Sequence, residues 1–309
     1  MINVKGLTKR FGNTVAVRDV TFSVPAGQVL GFLGPNGAGK STTMRILTGY
    51  ITADDGEGSI AGFDIFSQSL EVRKRIGYLP ESAPLYLDMD VPDFLKFIVT
   101  VRKVPSDKHR TAINRMIELC GLKTVMHKKI GELSKGYRQR VGLAQTMIHD
   151  PDILVLDEPT SGLDPNQIVE IRDLIKEIGK QKTVILSTHI LQEVTATCDR
   201  IVIINEGRLV ADGTPQDLTA QSSGDTLYWV TIKARPDEVR SELSQIPGVL
   251  DVRLQTESPD RSRFGLKFRS QQQIEEQIFN AVKQKGWVLT ELYRETASLE
   301  DVFARLTTN

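Results

Sequence analysis

Nine consecutive residues, Gly34-Pro35-Asn36-Gly37-Ala38-Gly39-Lys40-Ser41-Thr42, satisfy the spacing Gly-x-x-x-x-Gly-Lys-Ser between a strand-like run and a stretch of helical period. Glycines at these positions let successive backbone N–H groups turn inward on phosphate oxygens, and a following helix directs its free amides and positive dipole end at the same point. Lys40 supplies a point charge for outer phosphates and the Ser41 hydroxyl suits a magnesium ion. A plain glycine-rich turn is the competing reading, and the complete eight-residue pattern with both flanks outweighs it. Asp157 closes a second apolar run, where a carboxylate can hold magnesium directly or through water. Glu158 beside it is placed to polarise a water molecule for attack on a terminal phosphate. Two adjacent acids at a strand end, taken alone, read better as a helix cap or a solvated turn. The phosphate loop in the same chain reverses that preference.

Three short apolar runs position these groups. Val29 to Leu33 leads into the glycine loop, Ile153 to Leu156 ends in the two acids, and Val184 to Leu186 ends in Ser187-Thr188-His189. Apolar runs alternating with stretches of helical period predict an α/β domain with a largely parallel sheet. In such sheets ligands bind at the carboxyl ends of the strands, so three polar clusters at three ends point to one shared site. Between about Asp90 and Lys129 the pattern turns helical. Phe94, Leu95, Ile98 and Val101 share one face, and Ile113, Met116, Ile117 and Cys120 share another, which predicts a helical insertion over residues 90–145. Asp164-Pro165 followed by Gln167 reads as an N-cap, a first-turn proline and a capping-box partner, ahead of Ile168, Ile171, Leu174, Ile175 and Ile178.

The chain has 309 residues, which favours two domains. Lys plus Arg and Asp plus Glu each total 39, so no overall field attracts nucleic acid or anionic lipid, although a local basic patch fits inside a neutral total. Cys120 and Cys198 lie far apart, with no partner at metal-ligand spacing, and read as buried, reduced apolar residues. The N-terminus lacks the pattern of a secretory signal, and no apolar run approaches the roughly 18 residues of a spanning helix. A composition shift near residues 220–225 marks a boundary between domains at 1–220 and 221–309. Beyond it the order strand (Thr226 to Ala234), helix (Pro236 to Gln245), strand (Val249 to Thr256), strand (Arg263 to Arg269), helix (Gln271 to Lys285), strand (Trp287 to Arg294) predicts a small α+β ferredoxin-like sandwich.

The phosphate loop, Leu133-Ser-Lys-Gly-Tyr-Arg-Gln-Arg140, Leu154-Val-Leu-Asp-Glu-Pro159, Ser161-Gly-Leu-Asp164 and His189 occur in the order seen in ATP-binding-cassette (ABC) ATPases, a branch of the P-loop NTPases, and residues from about 1 to 218 resemble that family. The resemblance implies ATP and Mg²⁺ as ligands and a head-to-tail homodimer with two ATP molecules at its interface. It assigns Ser134 and Gly136 to the partner's nucleotide, Asp164 to the dimer interface, His189 to the terminal phosphate and Phe11 to the adenine ring. Read from the residues alone, Ser134 is also a plain N-cap before a helix, Asp164 a cap, His189 a structural histidine and Phe11 a core residue. Lys135 and Tyr137 stand where glycine and glutamine are frequent in the family, and Glu81 stands where a metal-contacting glutamine is usual. A carboxylate there still meets magnesium but brings a charge close to the phosphates.

The carboxyl-terminal appendage, ending in Ser298-Leu-Glu-Asp-Val-Phe303, resembles that of ATPase subunits of multidrug- and gliding-motility-type exporters. The implied function is ATP hydrolysis driving a separate multi-span permease, with the chain cytoplasmic and peripheral on the membrane through that partner. A soluble cassette ATPase of translation or DNA repair is the alternative, and it lacks the doubled cassettes or long coiled coils usual there. A phosphoryl-transferring kinase leaves Leu133 to Tyr137 unexplained. No catalytic constellation appears beyond residue 220, where a dimer-stabilising or scaffold role is favoured over a regulatory ligand site.

Overall fold

A computed structural model describes residues 2–221, 226–258, 261–268, 274–295 and 298–307. The chain begins with β1 (Ile2–Phe11), β2 (Thr14–Val24), β3 (Val29–Leu33), α1 (Lys40–Leu47), β4 (Asp55–Ile60), β5 (Phe63–Asp64), α2 (Ser69–Arg75) and β6 (Ile76–Leu79). The helical stretch α3 (Val91–Val101), α4 (His109–Leu119) and α5 (Lys135–Met147) follows. The chain then returns through β7 (Ile153–Asp157), α6 (Pro165–Gly179), β8 (Thr183–Thr188), α7 (Leu191–Thr197), β9 (Arg200–Asn205), β10 (Arg208–Gly213) and α8 (Pro215–Gln221). Last come β11 (Thr226–Lys233), α9 (Pro236–Leu243), β12 (Val249–Ser258), β13 (Arg261–Phe268), α10 (Glu275–Gln284), β14 (Val288–Glu295) and α11 (Leu299–Thr307).

Two compact units result, one of Met1–Pro215 with Arg305–Asn309 and one of Gln216–Ala304. The division thus falls a few residues before the compositional boundary at 220, and the last residues of the chain group with the first unit. In the first unit a six-stranded sheet runs β10-β9-β3-β8-β7-β6, with every neighbouring pair parallel except β9 with β10. Strands β3, β7 and β8 are buried at every position, which is why they read as unbroken apolar runs rather than alternating ones. Gly31 in β3 admits α7 closely: a Cβ there would stand 2.7 Å from Val194 Cγ1 and 2.9 Å from Cys198 Sγ. A second, antiparallel sheet, β2-β1-β4-β5, shares one core with α1 and the parallel sheet through Leu7, Val17, Met44, Leu47, Ile185 and Val202.

In the helical stretch α3 buries Val91, Phe94, Leu95, Ile98 and Val99, whereas Val101 is 57% exposed. The expected face therefore ends one turn early, because Val101 is the last residue of the helix and borders an open recess. Of the α4 face, Met116 and Cys120 are buried, with Ile113 and Ile117 half-buried. Both cysteines are unpaired and buried, and burial pushes the Cys120 thiol up to about 12 and the Cys198 thiol higher still. Among the described residues no helix is long and apolar enough to cross a membrane.

In the second unit β12-β13-β11-β14 form an antiparallel sheet with the βαββαβ order of a ferredoxin-like sandwich. Tyr228, Val230, Phe264 and Leu266 pack on Val239, Leu243, Ile278 and Val282 of α9 and α10. Helix α9 stops at Leu243, and α10 begins at Glu275, with residues 271–273 of the expected helix, and Arg269 of the expected strand, lying outside the described residues.

At the base of the parallel sheet His149 Nε2 lies 3.2 Å from the Ile76 carbonyl, so this nitrogen carries the proton, and Nδ1 is buried without a hydrogen-bond partner. Burial, reinforced by the positive charges of Arg102 and Lys182, holds the His149 pKa down to about 4, against the opposing pull of the Ile76 carbonyl and Asp150. The unfolded chain takes up this proton near pH 6.5 and the folded protein does not. The stability that His149 contributes is therefore complete above about pH 6.5 and is lost as pH falls toward about 4. Urea unfolding across that interval should show a steeper loss of stability in the wild type than in His149→Gln. Parallel pH profiles would refute the assignment.

Candidate active site

The carboxyl ends of β3, β8 and β7 lie side by side because the parallel register sets Leu33 beside Thr188 and Asp157 beside Ser187. The loop leaving β3 needs glycine at two points for different reasons. A Cβ on Gly34 would stand 2.3 Å from the Ile204 carbonyl oxygen, and Gly39, the residue before α1, holds a left-handed φ of 106° with the Ala16 carbonyl 2.5 Å from where its Cβ would be. Lys40, the first residue of α1, is only 5% exposed. Its Nζ donates to the carbonyl oxygens of Gly34 (2.8 Å) and Pro35 (3.2 Å) and stands 3.3 Å from Glu158 Oε1.

Successive residues of a strand point to opposite faces, yet Asp157 and Glu158 both address the loop. The chain leaves β7 at Glu158 with φ 49°, a left-handed turn that brings the second carboxylate round to the same side. Asp157 Oδ1 accepts from Ser41 Oγ at 3.0 Å and from Ser187 Oγ at 2.5 Å. Ser187 Oγ in turn accepts from the Glu158 backbone N–H at 3.1 Å, so one hydroxyl fixes both acids. Glu158 Oε2 pairs with His189 Nδ1 at 2.9 Å. Behind them Thr188 Oγ1 donates to the buried Glu193 at 2.7 Å and accepts the Ile190 N–H at 3.1 Å, which anchors the turn carrying His189. On the neighbouring strand, burial pushes the Tyr78 phenol up to about 12, with the Asp157 charge adding to the rise.

Asn36, Gly37, Gly39, Lys40, Ser41, Thr42, Glu81, Glu158 and His189 line one cavity of about 450 Å³, together with Ala16 and Ser161. That volume is within the usual range for small-molecule and cofactor sites. Among the described residues no group of three or more His, Cys, Asp or Glu is placed to hold a metal. The available set, one hydroxyl (Ser41), the Asp157 carboxylate it touches and Glu81 at the rim, is all oxygen. It fits an ion such as Mg²⁺, which takes one or two carboxylates and completes its shell with water and phosphate.

Ser134, Gly136 and Asp164 stand outside this cavity. Ser134 caps α5, its Oγ accepting from the Tyr137 N–H at 3.4 Å, and Asp164 caps α6, its Oδ1 accepting from the Gln167 N–H at 3.0 Å. The Gln167 side chain extends to α5, where its Oε1 lies 2.6 Å from the place a Cβ on Gly136 would take. The capping expectation at Asp164 therefore matches the backbone bond, while the Gln167 amide serves the contact with Gly136. Phe11 closes β1 with its ring 52% exposed and Lys9 Nζ 5.6 Å from the centroid, so it is no core residue. Ser187 and Glu193 were not singled out in the sequence. The polar triplet after Leu186 was the signal for the first, and nothing local marks the second.

The family profile described as "ABC transporter" matches residues 17–161, and a second, described as an AAA domain of a putative AbiEii toxin, matches residues 129–195. The chain is 31% identical to the uncharacterized ABC transporter ATP-binding protein YxlF of Bacillus subtilis (strain 168), over 99% of both chains. It is 40% identical to the probable multidrug ABC transporter ATP-binding protein YbhF of Escherichia coli (strain K12), over 73% of this chain and 39% of that protein. The match thus spans well under half the length of YbhF. A solved ATP-binding subunit of an ABC transporter superposes with a TM-score of 0.65 at 29% identity, covering 72% of this chain and 92% of the other.

Ser187 is the joint of the carboxylate pair and is fully buried. Ser187→Ala should cost about 1–3 kcal/mol of stability, because it takes a buried hydroxyl donor from the Asp157 carboxylate, while the Glu158 N–H keeps the Ser187 carbonyl at 3.1 Å. Equilibrium unfolding in urea measures this, and an unchanged midpoint would remove Ser187 from that role.

Proposed function

The chain belongs to the ABC transporter family of ATP-binding proteins, and on that premise we propose that it binds and hydrolyses ATP as the nucleotide-binding subunit of an exporter, driving a separate membrane-spanning partner. The observation that carries the reading is the convergence of Lys40, Ser41 with Asp157, and Glu158 with His189 on one cavity at three adjacent strand ends. The loop amides from Gly34 to Thr42 and the first turn of α1 receive the phosphates. As a phosphate enters, Lys40 turns from Glu158 to the anion, and the freed carboxylate takes a proton from the attacking water. His189, 43% exposed at its side chain and bonded to Glu158, orients that carboxylate and reaches toward the terminal phosphate. Asp157 and Ser41, with Glu81 at the rim, would hold Mg²⁺, which when bound neutralises charge on the phosphate oxygens. Phe11 offers its exposed ring to the adenine.

The exposed N-terminus of α5 at Ser134 and the cap at Asp164 lie outside the chain's own cavity, which supports a second copy supplying Ser134 and Gly136 across a head-to-tail dimer. Helix N-termini present free amides to anions, so one copy's α5 completes the phosphate cage of the other. For the membrane partner, the segment following Glu81 carries Tyr86 and Leu87, both more than half exposed, and Tyr86 packs edge-on against Phe97 at 5.4 Å. An exposed aromatic surface next to a cavity residue is suited to passing the state of the nucleotide to a docked protein. The place implied is the cytoplasmic face of a membrane. Export, rather than import, is supported by a relative in Burkholderia lata named as a Nod factor export ATP-binding protein, 33% identical over 99% of this chain.

Glu158→Gln should retain ATP binding and lower turnover by about 10²-fold or more, the scale of a lost general base. Steady-state phosphate release measures this, and unchanged turnover would remove Glu158 as the base. Lys40→Ala should abolish nucleotide binding in calorimetry, since it also leaves the Glu158 carboxylate buried without its cation. With excess ATP, Glu158→Gln should elute as a dimer in size exclusion and Glu158→Gln/Ser134→Arg as a monomer. A dimer in both would place the interface elsewhere.

A further inference from the structure

Away from the loop, a recess of about 860 Å³ opens between α2, the end of α3, α4 and the turn at His149, sharing no residue with the nucleotide cavity. Its floor is apolar, with Val104, Ala112, Met116 and Ile148. Its walls carry six cations against one carboxylate, in a chain whose total charge is zero. Three of the six are engaged within the protein: Lys74 pairs with Glu71 at 2.6 Å, Arg73 Nε donates to the Ser69 carbonyl at 3.3 Å, and Arg115 pairs with Asp150 at 3.1 Å. Asp150, the one acid, is further neutralised by Lys182 at 2.8 Å. His149 adds no charge at neutral pH.

The other three cations, Arg102, Lys103 and Lys108, occupy seven residues between α3 and α4, and no side-chain partner is found for any of them among the described residues. Arg102 is half-buried, and burial holds its guanidinium below the ordinary value. Lys103 holds φ 55° just past the end of α3, a position where glycine is usual and where a lysine costs stability. A recess that leaves a desolvated guanidinium and two ammonium groups unmatched above an apolar floor is complementary to one kind of molecule.

We propose that this recess binds a phosphorylated amphiphile, a small molecule whose phosphate head meets Arg102, Lys103 and Lys108 and whose short hydrocarbon tail lies along Val104, Ala112, Met116 and Ile148. Phosphate offers several acceptor oxygens to the cations lining this recess, and Arg engages two of them at once. The volume lies within the range of small-molecule sites. An extended acidic peptide is a poorer fit, because four amides of this wall are already used. The amides of Arg102, Lys103, Val104 and Lys108 are spent on the carbonyls of Ile98, Thr100, Val99 and Pro105, at 2.9–3.0 Å.

The test uses octyl phosphate, kept below its critical micelle concentration and titrated calorimetrically into the full chain, beside inorganic phosphate, octyl glucoside and a peptide of alternating Glu and Leu. Octyl phosphate should bind once per chain and at least about tenfold more tightly than each of the others, since charged hydrogen bonds and a buried tail both contribute. Arg102→Gln should weaken it about tenfold. Lys103→Gly should weaken it too while relieving the left-handed backbone, so folding is not in question, and Ala112→Phe should weaken it by filling the floor. All three variants should retain ATP binding, the control for an intact fold. Equal affinity for inorganic phosphate would overturn the amphiphile in favour of a free-anion site, and equal affinity for octyl glucoside would overturn the anionic head. Tighter binding of the peptide would assign the recess to a protein segment, and octyl phosphate affinity unchanged in Arg102→Gln and Lys103→Gly would place its binding elsewhere.

Discussion

The site depends on one buried ion pair, Lys40 with Glu158, whose side chains are 5% and 9% exposed. Taking both charges out of water costs several kcal/mol per ion, and mutual attraction alone repays this poorly unless the remaining donors and lone pairs are filled. Here they are filled: the lysine by the Gly34 and Pro35 carbonyls, the glutamate by His189. Such a pair holds the charges ready without being a deep energetic well. An incoming phosphate brings more negative charge than the carboxylate it displaces, so in the proposed cycle Lys40 changes partner at little cost and Glu158 is released for work on water. The left-handed turn at Glu158 and the close approach of Gly34 to the Ile204 carbonyl both serve to hold this geometry.

The parts legible in the sequence are those whose physics is local. A phosphate loop is a contiguous string, and a buried parallel strand is an unbroken apolar run, so β3, β7 and β8 and the polar residues at their ends could be read directly. The Asp164 cap and the βαββαβ order of the second unit are equally short-range signals. What escaped is set by register and packing. Ser187 joins the two acids only because β7 and β8 align Asp157 beside it, and Glu193 matters only because α7 folds back on Thr188. Periodicity assigned Val101 to a buried face, but periodicity does not say where the neighbouring layer stops. The basic recess was invisible for the plainest reason: its cations come from α2, the α3–α4 connection and α4, and their sum disappears into a net charge of zero.

In helix α5 the structural bonds and the proposed assembly role fall on the same few residues. Its N-cap at Ser134 and the Gln167 contact at Gly136 tie it to α6, whose own cap is Asp164. The structural readings of Ser134 and Asp164 as caps are therefore correct and leave their proposed interface roles intact. A helix end already ordered by its cap presents its amides to an anion without further loss of entropy. Glycine at 136 leaves space for the Gln167 side chain, which any larger residue would displace.

The two recesses follow opposite electrostatic designs, and the contrast bears on what each is for. At the nucleotide cavity the buried charges Lys40, Asp157 and Glu158 each have an internal partner, so a ligand must compete with Glu158 for Lys40. At the α3–α4 connection Arg102 is half-buried with no side-chain partner among the described residues, and Lys103 sits in a backbone conformation that glycine would adopt more easily. A turnover site needs exchangeable partners, because a ligand bound too well in its ground state slows the cycle. An unmatched site does the reverse: its anion gains the full charge interaction with no internal pair to break, and its occupancy stabilises the helical stretch by mass action. Because α3 begins just after the Glu81 segment and ends at this recess, a ligand there stabilises one end of the helix whose other end follows the nucleotide cavity.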